Sequence, residues 1–271
     1  VGDRHMTSRK TWYLLVDRTP KDGRWNMAVD EFLFRQVQQA PLTYLRFYAW
    51  DKPTVSLGFY QKTEKVLDLE VCRRQGVDIV RRMTGGKLVL HHEEVTYAVA
   101  SSEADIFSAS LKESYRLVSE ALILGLKRLG LEANLASATP ENYKRGNLPC
   151  FSFPAQDEIE IKGKKLIGSA QKRVGQTFLQ HGSIPLRNNT SLLQLLTPKR
   201  DDGQSSLKMI SLEEALGRVI EFDEVVAALI SGFSEYFNVE IRPKVLTEKD
   251  REEIYHLERE KYGNPDWVFQ R

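Results

Sequence analysis

The chain has 271 residues and sets 39 Lys and Arg against 37 Asp and Glu, a formal net charge of +2, which suits one large domain with a sizeable core and gives no bulk pull toward nucleic acid. No apolar run reaches the roughly 18 residues of a membrane span, and the N-terminus lacks the apolar stretch of a secretory signal, so the sequence reads as cytoplasmic with no membrane partner. Its two cysteines, Cys72 and Cys150, cannot build a disulfide framework, and neither they nor the five scattered histidines fall into metal-ligand spacing.

Residues 1–10, opening with VGDRHM, read as a disordered or tag-derived leader to a single domain over 11–271 with a helical C-terminal segment. TWYLLVD alternates as a strand, and RWNMAVDEFLFRQVQQ sets Met27, Phe32 and Phe34 at helical spacing. LTYLRFYAW and TVSLGFY are strands parted by Asp-Lys-Pro; KTEKVLDLEVCRRQG is one helix closing on Gly76, and VDIVRR is a strand. KLVLHHEEVTYAVA supplies two strand pieces, and DIFSASLKESYRLVSEALILGLKRLG is the longest amphipathic helix, ending at Gly130. Beyond a polar connection containing Pro140 and Pro149, DEIEI, KKLIGSAQKR and TFLQHGSIPL make a β-meander with turns at Gly163 and Gly175. SLLQLL, SLEEALGRV and DEVVAALISGFSEYF return to helix, VEIRP adds a strand, and TEKDREEIYHLEREKYG is a terminal helix capped by Thr247. This order predicts an α+β fold with mixed, largely antiparallel sheets flanked by helices.

Cys72, inside a helical pattern, reads as a small buried hydrophobe. Cys150 follows Pro149 and precedes Phe151 in an irregular segment entering the sheet, where a side chain can face a cleft. In IKGKKLIGSA the turn residues Lys162 and Lys164 are solvated, whereas Lys165 starts a strand; strict alternation puts Lys165, Ile167 and Ser169 on one face and Leu166, Gly168 and Ala170 on the other. An ammonium near a thiol favours the nucleophilic thiolate, which makes Lys165 the candidate activator of Cys150. RRMTGGKLVLHH offers a second cluster. Gly85 and Gly86 suit either a tight hairpin or a ligand's close approach to main-chain N–H groups, and Arg81 or Arg82 can extend a guanidinium fork to an anion. Of His91 and His92 only one can face inward, and His181 beside Gly182 is either structural or part of a site.

Taken together, these segments resemble the lipoate-protein ligase and octanoyltransferase family, which shares its catalytic fold with the biotin protein ligases. The resemblance runs through NMAVDEFLF, PTVSLGFYQ, RRMTGGKLVLHHEEVTYAVA, CFSFPAQDEIEIKGKKLIGSAQKRVGQTFLQHGSI and KYGNPDW, nearly the whole chain. It implies that Lys165 meets the acyl group or an adenylate, that Arg82, Gly85 and Gly86, with His91 closing the strand, line the cofactor or acyl pocket, and that Gly168, Ser169, Ala170, His181 and Gly182 add substrate contacts. Within the family, Cys150-Phe151 with GSAQKR and QHGSI is similar to the cysteine-dependent octanoyltransferases of the LipM type. That likeness implies catalytic Cys150 and Lys165 and ping-pong transfer: octanoyl passes from acyl carrier protein to Cys150 as a thioester, then to the lysine of a lipoyl domain or the glycine-cleavage H protein, with no cofactor, metal or nucleotide. The competing readings are an ATP-dependent lipoate-protein ligase, an amidotransferase drawing octanoate from the H protein, and a non-catalytic acyl-binding module. Lys87 breaks the triple glycine usual in the ligases, and Leu88 and His92 stand where the family commonly has alanine and aspartate, which bears on pocket width and local charge.

Overall fold

The computed structural model of the protein describes residues 9–108, 110–137, 157–198 and 208–269; Cys150, Phe151 and the connection carrying Pro140 and Pro149 lie outside the described residues. From the N-terminus, β1 (Thr11–Lys21) leads through α1 (Gly23–Gln39) to β2 (Thr43–Trp50) and β3 (Thr54–Leu57). Two short helices, α2 (Thr63–Val66) and α3 (Leu69–Arg74), precede β4 (Asp78–Arg81), β5 (Val89–His91), β6 (Glu94–Ser101) and α4 (Leu111–Arg128). A short β7 (Asn134–Leu135) is followed by β8 (Ile159–Ile161), β9 (Lys164–Val174) and β10 (Thr177–Pro185), and then by α5 (Thr190–Leu196), α6 (Leu212–Leu216), α7 (Phe222–Phe237), β11 (Glu240–Pro243), α8 (Glu248–Leu257) and α9 (Pro265–Val268).

The strands form an eight-stranded sheet of order β11-β1-β2-β6-β10-β9-β8-β7 and a three-stranded sheet of order β4-β3-β5. Pairing is parallel for β11-β1, β1-β2 and β3-β4 and antiparallel elsewhere, the mixed α+β class expected. Period-two alternation sends Leu45, Phe47, Val95, Tyr97 and Val99 to one face, where α4 and α7 cover them, and Tyr44, Tyr48, Trp50, Ala98 and Ala100 to the other, where α1 and α8 pack. Strands β2 and β6 at the sheet's centre therefore lie between two helical layers.

Helices α4 and α7 cross on glycines. A Cβ added to Gly232 would lie 2.7 Å from the Cα of Gly125, and one added to Gly125 would lie 2.8 Å from the Cα of Leu229. Gly232→Ala is therefore expected to lower the urea midpoint, with overpacking costing about 1–3 kcal/mol and outweighing the ~1 kcal/mol that alanine's helix propensity contributes. A raised midpoint would show that the crossing adjusts freely.

The single helix expected over 62–76 is two. Leu67 is extended, at φ −132° and ψ 144°, and buried among Val55, Leu57, Leu88 and Leu196, while the Asp68 carboxylate accepts the Val71 N–H at 3.0 Å and caps α3. Burial of Leu67 and the cap together outweigh the helical continuity of the pattern. Gly76 is left-handed at φ +64°, as a residue just past a helix end. Thr247 caps α8 through a reciprocal pair with Asp250, and beyond Leu257 the terminal helix widens to a π-turn over Glu258–Tyr262.

Candidate functional site

On the α1 face of the large sheet, where β10 and β9 meet the small sheet, lies a cleft of about 480 Å³ counting its open mouth. Met27, Val89 and Ala170 supply apolar walls, and Gly86, Gly168 and Gly182 keep them low. Glycine is required at 182 because a Cβ there would come within 2.9 Å of the Gly168 carbonyl oxygen and strike Tyr97 and Ser169. At the rim, Gly86 is left-handed at φ +90°, and a Cβ on Gly58 would overlap the Gly86 carbonyl. Gly86 thus serves a close backbone approach beside the cleft, whereas a Cβ on Gly85 would meet nothing within 4 Å and Gly85 is not among the residues lining the cleft.

Lys165 reaches this region through a bulge. Ile159 of β8 faces Ile167 of β9, but Glu160 faces Lys165, so Leu166 is the extra residue. Leu166 and Ile167 consequently enter the same core cluster, and Lys165 turns to the face that carries Glu158, Gly168 and Ala170. Strict alternation had grouped Lys165 with Ile167 and Ser169; the bulge corrects that grouping. Lys165 is 0% exposed, and its Nζ donates to Glu158 Oε1 at 2.6 Å; Glu158 is 5% exposed and lines the cleft. Ser169 lines the cleft too, and its hydroxyl bonds the Tyr97 hydroxyl at 2.7 Å, a phenol that burial pushes up to about 12.

Two carboxylate–imidazole–hydroxyl strings converge on Arg82. In one, His181 Nδ1 bonds Asp30 Oδ2 at 2.7 Å, His181 Nε2 bonds Thr84 Oγ1 at 2.7 Å, and Thr84 Oγ1 accepts from Arg82 Nε at 3.1 Å. In the other, His91 Nδ1 bonds Glu94 Oε1 and His91 Nε2 bonds Ser56 Oγ, each at 2.8 Å, and Ser56 Oγ accepts from Arg82 Nη1 at 3.1 Å. Arg82 also donates to the carbonyls of Ser56, Gly85 and Lys87. All five of its N–H groups thus point at protein oxygens, and the side chain clamps the 85–87 loop. Arg81 is committed similarly, to the carbonyls of Gly58, Phe59, Gln61, Trp267 and Val268 and to Thr63. In this geometry neither presents the anion-binding fork the sequence suggested.

Burial lowers the pKa of His181 by more than its hydrogen bond to Asp30 raises it, which keeps the ring neutral, donating from Nδ1 and accepting at Nε2. Burial would raise the Asp30 carboxyl, but the His181 hydrogen bond and the Arg46 charge hold it below the usual value of 3.8. For both groups the unfolded chain binds more protons within the shifted interval. Their contribution is complete above the unfolded pKa, 6.5 for His181, and is lost as pH falls through the folded one. The melting temperature should therefore drop as pH is lowered from about 7.5 to about 5.5, and His181→Asn, though less stable throughout, should show a flatter drop. An unchanged slope would remove His181 as its source.

Of the remaining candidates, His91 faces inward and His92 is partly exposed. Leu88 is buried against α2 and α3 rather than lining the cleft, so it does not set the cleft's width; Lys87 does line it. Cys72 is buried, its thiol pushed up to about 11 mainly by burial, which suits a core residue. Sequence reasoning passed over Glu158, Asp30, Glu94, Ser56 and Thr84. A signal existed for Glu158, an acidic residue in the predicted strand that pairs with Lys165's own. None existed for Asp30, which lies 151 positions from His181. Among the described residues, no group of three His, Cys, Asp or Glu is placed to hold a metal ion, and no helix is long and apolar enough to cross a membrane.

The family model for the lipoyl protein ligase A/B catalytic domain matches residues 22–234, and the chain belongs to that family. Within it, the full-length likeness is to proteins named octanoyltransferase LipM. That of Carboxydothermus hydrogenoformans is 37% identical over 273 residues, covering 96% of this chain and 99% of the relative. That of Oceanobacillus iheyensis is 38% identical over 265 residues, covering 94% and 96%. Among solved structures, the bipartite lipoate protein ligase of Thermoplasma acidophilum aligns with a TM-score of 0.80 at 25% identity over 96% of each chain. A lipoate-protein ligase A bound with ATP aligns at 0.79 and 25% identity over 97% of this chain and 98% of that one.

Proposed function

We propose that this protein is a cytoplasmic octanoyltransferase of protein lipoylation: it takes octanoyl from octanoyl-acyl carrier protein onto Cys150 and passes it to the lysine of a lipoyl domain or of the glycine-cleavage H protein. The observation that carries this reading is the likeness to LipM octanoyltransferases along nearly the whole chain, in a sequence that holds Cys150 as well as the buried Lys165. The Cys150 thiolate, favoured by the Lys165 ammonium, attacks the donor thioester carbon. The tetrahedral oxyanion then collapses by breaking the bond to the phosphopantetheine sulfur, which leaves as a thiolate and is protonated. Alternate main-chain N–H groups from Gly168 onward, on the edge of β9 turned away from β10 where its β8 partner has ended, are suited to hold that oxyanion. The acceptor amine next attacks the octanoyl-Cys150 carbonyl, gives up one proton, and expels the Cys150 thiolate, leaving the amide. The apolar walls around Met27, Val89 and Ala170 suit an alkyl chain, at roughly 0.8 kcal/mol per buried methylene. No step calls for a nucleotide or a metal.

Incubation with octanoyl-acyl carrier protein and intact-mass measurement test the reading. Wild type should gain one octanoyl group, Cys150→Ser should gain none, and added lipoyl domain should discharge the adduct. The solved relative bound with ATP favours a second reading, and ATP-dependent attachment of free octanoate or lipoate that survives Cys150→Ser would establish a ligase instead. Loading from octanoylated H protein in preference to the carrier protein would establish an amidotransferase. An absence of turnover with every donor would leave an acyl-binding module.

A further inference from the structure

We propose that Glu158 accepts the proton of the incoming acceptor lysine, so that the buried Glu158–Lys165 pair divides the two half-reactions between its members. The inference rests on the acyl-transfer reading above. At neutral pH a lysine side chain with a pKa near 10.4 is uncharged in only roughly one molecule in 10³, and an ammonium has no lone pair with which to attack a thioester. Some group at the cleft must take that proton. Lys165 is ill placed to do so while it donates to Glu158, because an ammonium holds donors only. It is also wholly covered by protein, whereas Glu158 is the member of the pair that lines the cleft.

The two charges give the transfer its direction. An acceptor ammonium entering here approaches Glu158 next to a second ammonium, and two like charges in a desolvated pocket disfavour each other. Proton transfer to the carboxylate relieves that repulsion: R–NH3+ and Glu158 carboxylate become R–NH2 and the carboxylic acid. The amine nitrogen then forms its bond to the octanoyl carbon and the carbon–sulfur bond of octanoyl-Cys150 breaks. One further proton passes from the nitrogen to solvent as the thiolate departs, and Glu158 returns its own to solvent. The first half-reaction, thiolate on thioester, needs no such base and belongs to Lys165.

Glu158→Gln keeps the shape of the side chain and an oxygen that accepts from Lys165 while removing the basic site. We expect discharge to the lipoyl domain to slow by about 10²-fold more than octanoyl loading does in this variant, with the acceptor KM within twofold and the acyl-enzyme accumulating in the mass spectrum. Hydroxylamine, already uncharged at neutral pH, should discharge the variant and wild-type acyl-enzymes at equal rates. Equal slowing of loading and discharge, or slow hydroxylamine discharge, would overturn the base assignment and make Glu158 a support for Lys165. Wild-type discharge in Glu158→Gln would overturn it as well. Failure of the acyl-transfer reading is distinguishable, because wild type would then form no octanoyl adduct at all.

Discussion

Lys165→Met is expected to slow octanoyl loading by about 10²–10⁴-fold and to lower stability by about 3–5 kcal/mol, while adding Glu158→Gln should restore most of the stability and none of the rate. The structural half follows from burial. Both partners are almost wholly removed from water, and taking away the ammonium leaves a desolvated carboxylate that has lost the counter-charge 2.6 Å away. Replacing both ions removes the desolvation cost together with the attraction, and such exchanges are often neutral or stabilising. The rate obeys a different requirement, since a thiolate needs the positive charge whether or not the fold does. Urea denaturation and single-turnover loading separate the two. A double variant that stays destabilised would mean that the ion pair is not what the fold requires here. A double variant whose loading recovers along with its stability would reduce Lys165 to a structural residue.

The sequence made the order of elements legible because that order rests on local physics. Thr247, Gly76, Gly130, Gly163 and Gly175 mark boundaries through capping and positive φ, and each stands at the end it announced. The break between α2 and α3 escaped because Leu67 leaves the helix for a tertiary reason, its burial against Leu196 and its neighbours. The face of Lys165 escaped because one bulged residue inverts a period-two pattern while leaving composition unchanged. At the site, lysine, glycine and histidine positions were readable as motifs, but their partners were not. Asp30 reaches His181 only because α1 packs on the large sheet, Ser56 reaches Arg82 across the β3-β4 pairing of the small sheet, and Glu94 meets His91 across the turn between β5 and β6. A motif residue such as Arg82 resembles a ligand contact in sequence because a short pattern shows the donor and not the acceptors that the fold sets around it.

Arg82→Met should cost about 3–5 kcal/mol in stability and reduce loading and discharge together by at least about 10²-fold. Five buried donors disappear, leaving Thr84 Oγ1, Ser56 Oγ and the carbonyls of Ser56, Gly85 and Lys87 short of a partner; an unsatisfied buried acceptor costs about 1–3 kcal/mol before relaxation. The loop that carries Gly86 and Lys87, both lining the cleft, then loses the clamp that fixes its carbonyls. Displacing catalytic geometry by about 1 Å can remove a factor of 10², and it harms both half-reactions because both use the same cleft. Arg82→Lys should fall between, since an ammonium has three donors and no planar fork with which to span Thr84, Ser56 and two loop carbonyls. The alternative, a guanidinium that grips an anionic donor, makes opposite demands: unchanged stability, a raised donor KM, and normal discharge once the acyl-enzyme has formed. Amide exchange across residues 84–87 decides between them, because a clamp lost from this loop must speed exchange there in the absence of any substrate, whereas a lost ligand contact must not.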